Sequence, residues 1–158
     1  MRVITGTARG RRLKEPQGMD IRPTTDKVKE SMFSILQFDI EGRRVLDLFG
    51  GTGQLGIEAL SRGASEVVFV DKSAAALKLI RENLELCGLS DRARVRSGDS
   101  LAYLRSGERF DLIFLDPPYD TGLLEQALQD IAGFDICREH GIITVSYTHL
   151  RAHETGAY

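Results

Sequence analysis

The sequence predicts an open α/β sandwich of Rossmann type, with a mainly parallel sheet and helices on both faces. From residue 44 onward, apolar segments of strand length alternate with segments of helical periodicity. The strand centres in RVLDLF, EVVFVD and FDLIFLD are nearly all apolar, as expected of strands covered on both faces. The length of 158 residues with 42% hydrophobic content gives one domain with a core.

Each element follows from local signals. Residues 1–23 read as irregular, with short strands expected at Arg2–Thr5 and Arg12–Lys14 around a Gly/Arg-rich turn. In RPTTDKVKESMFSIL a helix begins. Thr24, Thr25 or Asp26 can cap it, and Val28, Met32, Phe33, Ile35 and Leu36 fall at helical spacing. Gly42 closes that region. RVLDLF is a strand, and GIEALSRG a helix stopped by Gly63. EVVFVD is the second strand. SAAALKLIRENLELCG is a long helix capped by Ser73 and closed by Gly88. ARVRSGD, the short helix SLAYLRSG, the strand FDLIFLD, the helix LLEQALQDIAG and the strand GIITVS complete the order. No internal repeat or low-complexity segment interrupts it.

A net charge of −2 says little about partners, but its distribution says more. Residues 1–14 hold Arg2, Arg9, Arg11, Arg12 and Lys14 and no acid. Such an arm is either a polyanion contact or a solvated surface segment. Cys87 and Cys137 are far apart, match no metal spacing and are expected to be reduced. The basic start lacks the apolar core of a signal peptide. No apolar run reaches the ~18 residues of a membrane span. A cytoplasmic protein without a membrane partner is the expectation.

In an open parallel sheet, ligands bind beyond the carboxyl ends of the strands. Four corners lie there, and each carries an acid. The first is DLFGGTGQLG, where Gly51, Gly53 and Gly56 satisfy G-x-G-x-x-G. Asp47 precedes that loop and would repel a pyrophosphate. It suits a cationic amino group such as that of S-adenosylmethionine (SAM), which has no phosphate. A dinucleotide, or a glycine turn that binds nothing, remains an alternative. At the second corner Asp71 accepts from a ribose diol or supports the start of the next helix. At the third, Asp99 can meet an adenine amine while capping a helix.

The fourth corner is DPPY. Asp116 ends a strand, and Pro117 and Pro118 stop it because neither donates a backbone hydrogen bond. A strand stop beside a surface ring would account for Pro-Pro alone. It leaves Asp-Pro-Pro-Tyr at this place unexplained. A nucleobase amine is a poor nucleophile, since its lone pair is delocalised into the ring. Two acceptors, the Asp116 carboxylate and the Pro117 carbonyl, can hold its two N–H groups and free the lone pair. Tyr119 offers a face on which an extruded base can stack. Guanine, adenine and cytosine all carry such an amine.

Together these residues resemble a class I SAM-dependent methyltransferase of the amino-methylating type. TGTARGRRLKEP, IRPTTDKVKESMFSIL, VLDLFGGTGQLGIEALSRGA and FDLIFLDPPY resemble, in order and spacing, the RsmD family, which methylates N2 of a guanine in bacterial 16S ribosomal RNA. The resemblance covers residues 1 to about 145. It implies a Rossmann-like methyltransferase sandwich with a small N-terminal β-hairpin and helix extension. It further implies that Asp47, Phe49, Gly51 and Gly53 hold the methionine part of SAM. Asp71 and Lys72 would lie at the ribose, Asp99 and Ser100 at the adenine, and Thr24 near the cofactor. Asp116, Pro117, Pro118 and Tyr119 would hold the base, with S-adenosylhomocysteine as product. Arg9, Arg11, Arg12 and Arg22 would meet RNA of a small-subunit assembly particle, and the protein would act as a monomer. The loop reads Phe-Gly-Gly-Thr-Gly where Ala and Ser are commoner, and Asp71 stands where Glu is also common.

Residues 1–37 are thus expected to form a basic arm and helix within the single domain, and 38–146 the SAM-binding core. The end departs from the pattern. SYTHLRAHET resembles a translated sequencing adaptor, so 147–158 is expected to be a non-native tail with the last strands of such a sheet missing. His149 and His153 share an i, i+4 spacing there, and no metal site is expected. The alternatives are a DNA adenine-N6 or glutamine-amide methyltransferase, an inactive truncated member, a non-catalytic RNA-binding protein, and a nicotinamide-dependent oxidoreductase.

Overall fold

The apolar strand segments become β1 (Arg44–Leu48), β2 (Glu66–Asp71), β3 (Ala93–Ser97), β4 (Phe110–Leu115) and β5 (Cys137–Val145). The computed structural model describes residues 1–16, 25–118 and 121–146. The strands form one sheet in the order β3-β2-β1-β4-β5, every neighbour parallel. The helices are α1 (Asp26–Leu36), α2 (Gln54–Ser61), α3 (Ala74–Cys87), α4 (Ser100–Tyr103) and α5 (Leu123–Gly133). Of the three candidate caps for α1, Thr25 serves, its hydroxyl accepting from the Val28 N–H. Ser73 caps α3 and a left-handed Gly88 ends it, as its sequence implies.

The central strands β1, β2 and β4 bury both faces. Val45, Val67, Phe69, Leu112 and Phe114 pack against Phe33, Ile57, Leu60, Ile80 and Leu84, which come from α1, α2 and α3. Val3, Ala8 and Leu13 of the N-terminal arm join that same cluster. Leu46, Leu48, Val68, Val70, Ile113 and Leu115 pack on the opposite side against Leu104, Leu124, Ala127 and Ile131. The result is three layers, with the arm, α1, α2 and α3 on one side and α4 and α5 on the other. Among the described residues no helix is long and apolar enough to cross a membrane.

Several elements differ from their sequence-based bounds. The two expected arm strands reduce to a single antiparallel bridge, Arg2 to Arg12. Val3 N–H donates to the Arg11 carbonyl and Leu13 N–H to that of Met1, but the ladder stops at Ile4. There the next backbone donors turn to a side chain, the Glu58 carboxylate. Helix α2 starts at Gln54 because Gly53, with φ 79°, serves as its N-cap. Such a φ is one that glycine adopts at little cost. Helix α4 ends at Tyr103 because the next three N–H groups bond back three residues rather than four. A short 3-10 turn at Ser90–Arg92 precedes β3. Strand β5 begins at Cys137, ahead of the predicted Gly141, and bulges. Phe110 pairs with Cys137 and Leu112 with Ile142, with His140 at φ 65° between them.

Helix α1 holds the largest surprise. Its buried residues are Lys29, Phe33 and Leu36, a lysine-led stripe at helical spacing. Val28 and Ile35, assigned to the apolar face by pattern, are 51% and 78% exposed.

Candidate active site

The parallel register puts the strand ends on one level. Leu48 is level with Val70 and with Leu115, and Asp71 with Ser97. The four acidic corners therefore share the carboxyl edge of the sheet. They are also tied to each other. Gly50 N–H donates to the Val70 carbonyl at 3.0 Å, and Gly98 N–H to that of Asp71 at 3.1 Å. Gly51 N–H donates to Asp71 Oδ2 at 3.0 Å, so the second corner's carboxylate holds the glycine loop.

Asp71 Oδ1 also accepts from the Ser73 N–H at 2.9 Å. The cap of α3 is thus Ser73, with Asp71 supporting it from behind. A carboxylate offers about four lone-pair sites, so two backbone donors leave capacity for a ligand's hydroxyls. Asp99 is exposed and caps α4, its Oδ2 accepting from the Ala102 N–H at 2.9 Å. Lys72 is exposed beside Asp71, and Ser100 is buried as the first residue of α4. Phe49 has φ 62°, a left-handed conformation that a non-glycine residue rarely takes. Strain of this kind concentrates at ligand clamps.

Asp47 is buried, with its Oδ2 accepting from the Gly56 N–H at 3.1 Å. Gly56 brings α2 close to the sheet, since a Cβ there would lie 2.3 Å from the Phe69 ring. Burial pushes the Asp47 carboxyl well above the usual carboxylate range. The Gly56 N–H pulls the other way, and the charges of Asp116 and Asp71 push it further up. Three acids therefore bear on one another around a glycine loop. That field opposes a phosphate and favours a cationic ligand.

The fourth corner is compact. Pro117 is buried and Pro118 exposed. Ser146 N–H donates to the Leu115 carbonyl at 2.8 Å and holds the strand end just before Asp116. The Thr121 hydroxyl donates to the Pro118 carbonyl at 2.9 Å and accepts from the Leu123 N–H, which leads the chain into α5. Thr121 was not singled out from the sequence. A hydroxyl residue just after a Pro-Pro corner is the signal that marks it. Tyr119, Thr24 and Arg22 lie outside the described residues.

Arg9, Arg11 and Arg12 are exposed on the arm, whose Val3, Ala8 and Leu13 pack on the side of the sheet that carries α1, α2 and α3. Beyond them, Lys14 to Pro16 run along α3 and line a cavity of about 580 Å³ with Ala75, Lys78 and Leu79. The arm thus leads toward the helix that starts behind Asp71. Its seat is Glu58 and Ser61 of α2, which sequence reasoning also missed. Its signal emerges only with the fold, as an acid inside QLGIEALS, a helix buried throughout. Among the described residues no cluster of metal-binding side chains occurs.

Comparison with known proteins bears on the family and the fold. The family described as conserved hypothetical protein 95 matches residues 1–155. The chain is 42% identical over 151 residues to "Putative rRNA methyltransferase YlbH" of Bacillus subtilis, covering 93% of this chain and 82% of that protein. It is 39% identical over 132 residues to "Ribosomal RNA small subunit methyltransferase D" of Haemophilus influenzae, covering 81% of this chain and 68% of that one. Among solved structures, "Putative methyltransferase yhhF" from Escherichia coli superposes with a TM-score of 0.85 at 34% identity. The match covers 93% of this chain and 80% of that one.

Proposed function

The chain belongs to the RsmD family, the family described as conserved hypothetical protein 95, and from that premise we propose that it methylates N2 of a guanine in 16S ribosomal RNA, using SAM, on the assembling small subunit. The observation that carries this is the Asp116-Pro117-Pro118 corner, set level with a glycine loop under which a buried acid lies.

The acids around the loop fit a ligand with positive charge and no phosphate. Asp47, Phe49, Gly51 and Gly53 hold its amino-acid end, Asp71 and Lys72 its ribose, and Asp99 and Ser100 its adenine, with Thr24 nearby. SAM supplies an electrophilic methyl group on sulfur and leaves as S-adenosylhomocysteine. Asp116 and the Pro117 carbonyl accept the two N–H groups of the base amine and fix its direction. Pro118, tied by Thr121, keeps the corner from moving. Tyr119 stacks on the base once it has left its helix. Asp116 takes the proton as the amine sheds it, and most of the rate comes from position and electrostatics. Arg9, Arg11, Arg12 and Arg22 neutralise RNA phosphates. Residues 1–37 are the RNA-facing part and 38–146 the cofactor core. The protein works as a monomer in the cytoplasm, where ribosomes are built.

The test is methyl transfer from labelled SAM to small-subunit particles lacking the modification, with mass analysis of the nucleosides. N2-methylguanosine is expected, and N6-methyladenine would overturn the assignment of the base. Asp116→Ala should lower kcat on the order of 10²-fold or more while calorimetry finds SAM still bound.

A further inference from the structure

Glu58 lies outside the acidic corners, and its carboxylate is saturated. Oε1 accepts from the Ile4 N–H at 2.9 Å and faces Lys29 Nζ at 3.2 Å. Oε2 accepts from the Thr5 N–H at 3.0 Å and from Arg62 Nε at 2.8 Å. These four donors meet the roughly four lone-pair sites a carboxylate has. Glu58 and Lys29 are both fully buried, and Lys29 Nζ also donates to the Arg2 carbonyl at 2.8 Å. One turn on, the Ser61 hydroxyl donates to the Thr5 carbonyl at 2.6 Å and accepts from the Ala8 N–H at 2.9 Å. The Ser61 carbonyl accepts from the Thr7 N–H. Gly6 comes so near that a Cβ would fall 1.8 Å from that carbonyl oxygen.

Apolar packing of the same volume often matches or exceeds a buried ion pair in stability. The best-attested use of such a group is to fix register between elements. Three elements meet here. The arm, bonded at Ile4, Thr5 and Ala8, carries Arg9, Arg11 and Arg12 immediately after. Helix α1 contributes Lys29 and also Phe33. The Arg62 guanidinium lies 4.7 Å from the Phe33 ring centroid, and that ring is 5.6 Å from Phe114. Phe114 stands two residues before Asp116. Helix α2 itself begins at the glycine loop.

We infer that Glu58 is a positioning residue that sets the basic arm and α1 in register with the glycine loop, so that RNA held by Arg9, Arg11 and Arg12 presents its base at Asp116. The inference rests on the RNA-methylating function proposed above. Ser61 is the second half of the same seat, and its hydroxyl bonds to the arm at Thr5 and Ala8.

Glu58→Gln leaves one acceptor oxygen for donors that now meet an amide NH₂. In this variant trypsin should cut after Arg9, Arg11 and Arg12 faster than in the wild type. KM for the RNA should rise roughly tenfold at low salt, with kcat nearly unchanged. The slope of log RNA affinity against log salt should shrink by about two to three, as three phosphate contacts are lost. SAM affinity should stay within about twofold in either direction. Ser61→Ala should show the same pattern more weakly, and it carries the test if Glu58→Gln does not fold. A folded variant with a protected arm and an unchanged salt slope would overturn the inference, as would loss of SAM affinity in proportion to RNA affinity. If the wild type binds RNA and transfers nothing, the proposed function fails, and the RNA affinities and tryptic pattern still decide the role of Glu58.

Discussion

Burial and the charges of two neighbouring carboxylates oppose ionisation of Asp47. Its folded pKa lies above the unfolded value, so the folded state binds the proton more tightly. Its contribution to stability is therefore full below the unfolded pKa and is lost as pH rises through the folded one. At neutral pH the free protein carries that cost, and a cationic ligand relieves it. Asp47→Asn keeps an oxygen for the Gly56 N–H and removes the charge. Thermal melting should show a higher Tm for this variant, at about 2–4 °C per kcal/mol gained. Calorimetry should show weaker SAM binding. It should also show wild-type SAM binding releasing protons, as a heat that varies with the buffer, and the variant losing this dependence. A lower Tm together with unchanged SAM binding would contradict the role given to Asp47.

At the scale of elements, α1 turns on Lys29. Burial lowers its pKa, and the attraction of Glu58 works against that shift. Lys29→Met removes one partner of a buried pair and leaves Glu58 with Arg62 and two backbone donors. A cost of about 3 kcal/mol is expected, the low end for breaking such a pair. Denaturant unfolding should find it as a lower midpoint with the same slope. The same lysine explains what could be read in advance. A pattern that counts lysine as polar assigns Val28 and Ile35 to the core, whereas the helix buries its Lys29 stem and leaves Ile35 at the surface. The central strands were legible because burial on both faces leaves an apolar run, as in β4. The arm ribbon was not, because Ile4 and Thr5 end it on a side chain, and no local spelling announces a partner more than fifty residues away. The corner acids were legible because each directly follows a strand. Glu58 was not, because EALSR reads as an ordinary stretch of helix.

Across the whole molecule the total charge is only −2, but Asp47, Asp71, Asp99 and Asp116 stand at the carboxyl edge of the sheet, and residues 1–14 carry Arg2, Arg9, Arg11, Arg12 and Lys14 with no acid. RNA affinity should therefore follow the arm rather than the net charge. Replacing Arg9, Arg11 and Arg12 together with Ala should weaken RNA binding roughly tenfold or more at low salt and much less at high salt, with SAM binding unchanged. Filter binding across a salt series measures both. A weakening independent of salt would point to lost shape rather than lost phosphate contacts.

The seat of the arm also dictates an order of events during synthesis. Ile4 bonds to Glu58 across 54 residues, and Lys14 to Asn83 across 69. Contacts of such separation close late, after the loop between them has been ordered. At about 5–20 residues per second, seconds pass between translation of the arm and translation of its seat. A segment made before its seat is thus among the last to be fixed. For that interval the most basic stretch of the chain is a loose cation emerging from a ribosome, a particle built of the kind of polyanion proposed above as its ligand.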